Sequence, residues 1–291
     1  MFVQQGSSKD IHSTQAVAEA TKDWSETPDI LFVFCSTSQN ADEIVQAVHN
    51  KYPDTPIAGC TTSGEYIDGH HTNDSLVLTG LCNSGIKWSV EQIKDLEHFE
   101  QERANDCAQT LFSNLEIELE TLNPQKHFCL LFIDGLSMQE EKVTSLLAEA
   151  IEGIPLAGGS AGDDLKFEQT QVLSREGAFH DAAVVVMGTS QTTEVQILKH
   201  QHFVTTPNSL VVTHADPASR TIFELDGYPA NEAYARALGL STEELSNEIT
   251  FLNPVTFCCN NEIYVRSIQK LNEDGSITFY CGIEEGMVLD I

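Results

Sequence analysis

The chain has 291 residues, with 15 Lys plus Arg against 44 Asp plus Glu, a formal charge of −29 and a pI of about 4.4. Such a charge repels polyanions at long range, so nucleic acid and anionic membrane surfaces are poor partners, and the length predicts roughly two domains. No window approaches about 18 uninterrupted apolar residues, and the opening MFVQQGSSKD lacks the basic and apolar regions of a signal peptide, so a soluble cytoplasmic protein is expected.

In chain order, residues 1–27 read as a leader strand and helix. Residues 30–35 (ILFVFC) form a continuous apolar run that predicts a buried strand, and residues 41–50 carry Ile44, Val45 and Val48 on one helical face. The glycine-rich stretch 55–66 (TPIAGCTTSGEY) and a strand over 75–81 follow. The same order recurs as a strand over 128–133, a helix over 139–151, a glycine-rich stretch 154–164 (IPLAGGSAGDD) and a strand over 182–187. Pro56 and Gly59 match Pro155 and Gly158 at an offset of 99, and Gly64 matches Gly162 after one deletion. This predicts a duplicated βαββ unit, residues 28–80 and 128–188, with Gly59 and Gly158 at matching turns, in two similar sheets or two halves of one.

Beyond the repeat, strands are expected over 194–204 and 210–213, then a turn at 215–219 and a short strand over 222–225. Asp226 and Gly227 signal a hairpin turn, residues 230–238 a helix that Gly239 ends, and NEDGS at 272–276 a hairpin between strands 262–271 and 277–283. The fold class is α/β: mixed sheets with flanking helices, followed by a smaller α+β C-terminal part.

Several residue groups invite chemistry. Eight cysteines, at 35, 60, 82, 107, 129, 258, 259 and 281, lie mostly in apolar runs with no CxxC or CxxCH. Free thiols are expected, and a zinc ribbon, a thioredoxin-like site and covalently attached haem lose their signatures. His70 and His71 sit in a polar loop, where a metal would need a further donor such as Asp68 or Asp74. Gly158, Gly159 and Gly162 around Ser160 would offer N–H groups to an anion, but the stretch lacks P-loop spacing and its lysine, and its two aspartates repel phosphate. Neither Ser63 nor Ser160 stands in a GxSxG elbow, and Gly159 replaces Cys60 in the second repeat, so catalysis is not expected.

GCTTSGEY at 59–66, GGSAGDD at 158–164 and YVRSIQKLNEDGSITFYCGIEEG at 264–286 resemble the FIST sensory module. The resemblance covers about Pro28 to the end and implies an N-terminal part over 28–218 and a C-terminal part over 219–291. KHQHF at 199–203, followed by VVTHADPASRTIFELDGYPA at 211–230, is most similar to the bacterial nitric-oxide-sensing haemoproteins built on this module. That subset implies a cytosolic sensor, not an enzyme, which binds haem b non-covalently, detects nitric oxide and controls a histidine kinase or a diguanylate cyclase or phosphodiesterase. A homodimer is one admissible assembly. The family's C-terminal part usually runs well past the EEG block, whereas this chain ends five residues later, which implies a trimmed chain.

Haem held without CxxCH needs an axial donor, most often a neutral imidazole in an apolar pocket. On a strand His200 and His202 share one face, and alternation does not choose between them. The resemblance assigns His202 as the metal ligand, with His200 as second choice, Phe203 beside it and His214 a minor alternative. Arg266 would pair a haem propionate through its planar fork, or an ordinary Asp or Glu. The rival expectation is a haem-free FIST domain that binds a small molecule such as an amino acid.

Overall fold

The computed structural model describes residues 1–164, 166–201, 203–259 and 262–291. They form two compact units, Met1–Leu198 and Lys199–Ile291. The first opens with β1 (Phe2–Ser8) and α1 (Ser13–Ala20), followed by β2 (Ile30–Ser36), α2 (Ala41–Lys51), β3 (Ile57–Thr62), the small hairpin β4 (Glu65–Ile67) and β5 (His70–Thr72), and β6 (Leu76–Cys82). Then come β7 (Ile86–Lys94), α3 (Gln101–Leu115), β8 (His127–Ile133), α4 (Glu140–Ala150), β9 (Leu156–Ser160), β10 (Val172–Ser174), β11 (Gly177–Phe179) and β12 (Ala182–Ser190).

One sheet runs β1-β6-β2-β3-β10-β11 and the other β7-β12-β8-β9. Each contains the same triplet: β2 parallel to β3 and antiparallel to β6, β8 parallel to β9 and antiparallel to β12. The duplicated βαββ unit therefore builds two sheets. The β10–β11 hairpin of the second repeat pairs with β3 of the first, which ties the halves together.

The continuous apolar runs follow from burial on both faces. Leu31, Val33 and Cys35 of β2 pack under α1 and α2, while Ile30 and Phe32 point into a second core shared with Val184 and Val186 of β12. On the other sheet Cys129, Leu131 and Ile133 of β8 face α3 and α4, and Leu130 and Phe132 face the shared core. Two sheets thus pack face to face with helices outside. In α2 Ile44, Val45 and Val48 are buried, and the Asn40 side chain caps the helix by accepting the Glu43 N–H at 3.2 Å. All eight cysteines are free. Burial pushes the Cys60, Cys107 and Cys129 thiols up to about 12 and Cys35 higher still, so they behave as core hydrophobes.

Gly59 and Gly158 are equivalent, but not at turns. They lie inside β3 and β9, opposite Val33 and Leu131. A Cβ at Gly59 would stand 1.8 Å from the Val33 carbonyl oxygen, and one at Gly158 2.0 Å from that of Leu131. The repeated glycine is required by close approach of neighbouring strands, not by turn geometry.

The second unit contains β13 (Ser209–Asp216), β14 (Thr221–Leu225), β15 (Tyr228–Pro229), α5 (Ala230–Leu238), α6 (Asn247–Leu252), β16 (Val255–Cys259), β17 (Glu262–Arg266), β18 (Ile268–Leu271), β19 (Ile277–Phe279) and β20 (Val288–Asp290). Its sheet runs β17-β16-β20-β13-β14-β19-β18 and curls around Tyr234, Phe279, Ile222 and Leu289. Asp226 and Gly227, at φ 53° and 76°, make the expected turn between β14 and β15, and Gly239, at φ 75°, ends α5. The expected strand over 194–204 is absent among its described residues. Lys199, His200 and Gln201 join no sheet edge, and the flanking Val195 N–H donates to the Gln125 carbonyl and Thr206 N–H to that of Ile291, without a ladder. Among the described residues no helix is long and apolar enough to cross a membrane.

Candidate functional site

The two glycine-rich stretches meet at the carboxyl ends of β3 and β9. Gly162 N–H donates to the Thr61 carbonyl at 2.9 Å, and Asp164 N–H donates to Ser63 Oγ at 3.0 Å. Ala161 N–H is likewise taken by the Ile133 carbonyl at 2.7 Å. The N–H groups of Ala161, Gly162 and Asp164 are thus engaged within the protein rather than open to a phosphate.

The carboxylates here have comparable duties. Asp163 is buried, which alone would raise its pKa. Backbone N–H groups of Gln169, Glu168, Phe167 and Lys166 outweigh that and hold it below the ordinary carboxylate range. Asp134 accepts the Asp181 N–H at 2.6 Å and the Thr170 hydroxyl, and Glu65 accepts the hydroxyls of Thr62 and Ser75. Ser63 and Ser160 are exposed. His70 and His71 are also exposed, on β5, with His71 edge-on to Tyr66 at 5.4 Å. Among the described residues no three His, Cys, Asp or Glu side chains gather as a metal-binding group.

The 199–203 segment lies in the second unit. His202 is outside the described residues. Because the described residues on either side of it form no strand, pleat alternation gives no relation between it and His200. Lys199 anchors the segment to β17: its Nζ lies 2.8 Å from Glu262, donates to the Ile263 carbonyl at 3.0 Å and sits 4.4 Å from the Tyr264 ring centre. The same strand carries Arg266, whose guanidinium stands 5.8 Å from the Phe257 ring centre. His200 is exposed. His214, on β13, is exposed and stacked on Phe223 at 5.0 Å.

Phe203 lines a cleft of about 290 Å³ with Val204, Leu238, Leu252, Pro254 and Ile291. Small-molecule sites run to about 300–1,000 Å³, so this cleft stands at the small end of that range. Of the residues expected to hold haem, Phe203 lies in the wall of this cleft, whereas His200 is exposed and Arg266 stands on β17, and neither lines it.

A second cleft, of about 750 Å³, opens at the edge of the first unit's sheets beside Trp88, Glu91, Gln92, Asn114, Arg175 and Glu176. Burial, and then the neighbouring Glu176 charge, raise the Glu91 pKa, while the Asn114 amide donates to it at 3.3 Å. No motif announces it, because β7, α3 and the β10–β11 turn contribute residues far apart in sequence.

The comparisons agree with the motifs. The FIST N domain matches residues 29–228 and the FIST C domain residues 230–291. No curated protein matches the chain. Among solved structures, a cyanuric acid hydrolase from A. caulinodans is 8% identical over 65% of this chain and 71% of that one, with a TM-score of 0.35, too loose a likeness to carry an argument. The two domain matches, side by side over most of its length, show that the chain belongs to the FIST family of sensory domains in signalling proteins.

Proposed function

We propose that this FIST protein senses nitric oxide through non-covalently bound haem b and passes the signal to a histidine kinase or to a diguanylate cyclase or phosphodiesterase. The observation that carries the reading is the position of Phe203, directly after His202 in the KHQHF segment, in the wall of a cleft that mixes apolar residues with Thr206, Asn208, Asn253 and Thr256. His202 would hold the haem iron through its imidazole, with His200 as the alternative donor. Phe203, Leu238, Leu252 and Ile291 would offer apolar surface to the ring. Arg266, held by β17, offers a forked donor to a propionate. When bound, haem supplies an iron with one coordination position open to a diatomic gas.

What the protein adds is a movable tether. Residues 194–201 belong to no sheet, and the Lys199–Glu262 pair fixes one point of the segment. A shift of its histidine would be transmitted along a short, weakly held stretch, the kind of two-state element a partner can read.

The test is haem titration of apo-protein followed by anaerobic nitric oxide. Wild type should take up haem with a five-coordinate ferrous spectrum. His202→Ala should shift or abolish that spectrum while His200→Ala and His214→Ala leave it nearly intact, and added imidazole should restore the lost band. An unaltered His202→Ala spectrum with unchanged nitric oxide binding would overturn the assignment, and a wild type that takes up no haem would overturn the reading.

A further inference from the structure

The outer face of the first unit carries a groove of about 690 Å³ between α3, the end of α4 and the short 3-10 turn at Leu119–Thr121. Along α3, residues Gln101, Asn105, Ala108, Gln109 and Phe112 form one helical stripe on its wall. At 1.5 Å per residue the stripe is about 16 Å long, room for about three turns of another helix. The floor is apolar, made by Ala108, Phe112, Ile117 and Ala150, and Leu119 stands at its edge, 49% exposed.

The rim is of one sign. Glu118, Glu120, Glu149 and Glu152 are exposed and line the groove, and no Lys or Arg does. Among the described residues none of the four is in an ion pair. Both helices that frame the groove also lack a basic residue in the last turn. In α4 the partial negative charge of the last carbonyls therefore meets no basic side chain of its own helix and is reinforced by Glu149. That arrangement disfavours the free protein slightly and favours any cation brought to the groove. A free polyamine would satisfy the rim but leave the floor wet. A lipid surface would meet repulsion.

We infer that this groove docks an amphipathic helix of a partner protein, with an apolar face of about three turns flanked by Lys or Arg. The inference rests on the family's sensory role, which requires an output surface, and is independent of haem.

The experiment uses the full chain without haem and a fluorescein-labelled 18-residue helical peptide of Leu and Lys, with Leu at helical spacing, read by anisotropy. Saturable binding is expected, with a Kd in the micromolar range. The combined Glu118→Gln, Glu120→Gln, Glu149→Gln, Glu152→Gln variant should weaken it at least tenfold. An equal charge change elsewhere, Glu26→Gln, Glu168→Gln, Glu224→Gln, Glu248→Gln, should leave Kd within about twofold. A Lys/Ser peptide of equal charge should bind at least tenfold more weakly than the Leu/Lys peptide. Circular dichroism of both variants establishes that they are folded. Equal weakening by the two sets, equal affinity for the two peptides, or no binding of the Leu/Lys peptide would each overturn the proposal. None of these outcomes bears on haem uptake, so the two readings fail separately.

Discussion

Gly158 and Gly159 are neighbours with opposite tolerance for a side chain. A Cβ at Gly158 collides with the Leu131 carbonyl, whereas nothing stands within 4 Å of one at Gly159. Gly158→Ala must push β9 from β8, so it is expected to cost about 3 kcal/mol or more, against less than about 1 kcal/mol for Gly159→Ala. Urea denaturation of the two variants reads the difference, and similar midpoints would contradict it. His127, at the start of β8, poses a different residue-scale problem, because its Nδ1 is buried without a hydrogen-bond partner. Burial lowers its pKa below the ordinary 6.5. The Thr121 backbone opposes this, and the Lys126 charge acts with burial. Just below 6.5 the unfolded chain then binds more protons at this site than the folded chain. The stability it contributes is present above that value and is lost as pH falls through the folded pKa. Between about pH 7.5 and 5.5, His127→Leu should lose less stability than wild type. Parallel pH profiles would sink that account.

Elements were legible where periodicity and burial coincide. The buried runs of β2 and β8 and the 3.6-residue spacing of α2 reflect packing on named faces, and the offset between repeats predicted two equivalent βαββ units, though not the order of strands in either sheet. Helix α3 was just as periodic, with Ala104, Cys107, Ala108, Leu111, Phe112 and Leu115 buried, but it lies between the repeats, where comparing repeats does not look. The 194–204 segment misled for a physical reason. Alternation in EVQILKHQHFV suits a strand, yet a strand also needs a free edge with matching donors, which sequence does not display. The residues around Phe203 were legible only in part: KHQHF was recognisable, but Leu238, Leu252 and Ile291 come from distant elements. In hydrogen exchange, amides of residues 194–201 should exchange orders of magnitude faster than those of β12, which is buried along its whole length. Comparable protection would mean that the segment has found a ladder.

At the scale of the whole molecule the dominant fact is the charge of −29. The ion pairs Lys87–Glu116, Lys94–Glu176 and Lys199–Glu262 are exposed and contribute little. With 15 basic residues for 44 acidic ones most of the negative charge is not offset, and folding concentrates it, so self-repulsion opposes the compact state. Salt should weaken this term, since the Debye length falls from about 30 Å at 0.01 M to about 8 Å at 0.15 M and about 3 Å at 1 M. The melting temperature is expected to rise with NaCl, about 2–4 °C for each kcal/mol of repulsion relieved. The rise should be steep below about 0.15 M and then level off, because screening saturates. A solvent-exclusion effect, as with sulfate, would instead keep growing with concentration. The same titration near the pI of about 4.4 supplies the internal control, because there the net charge vanishes and the low-salt rise should vanish with it. A melting temperature that falls as NaCl is added at neutral pH would show that attractive pairs outweigh the excess of 44 acidic over 15 basic residues.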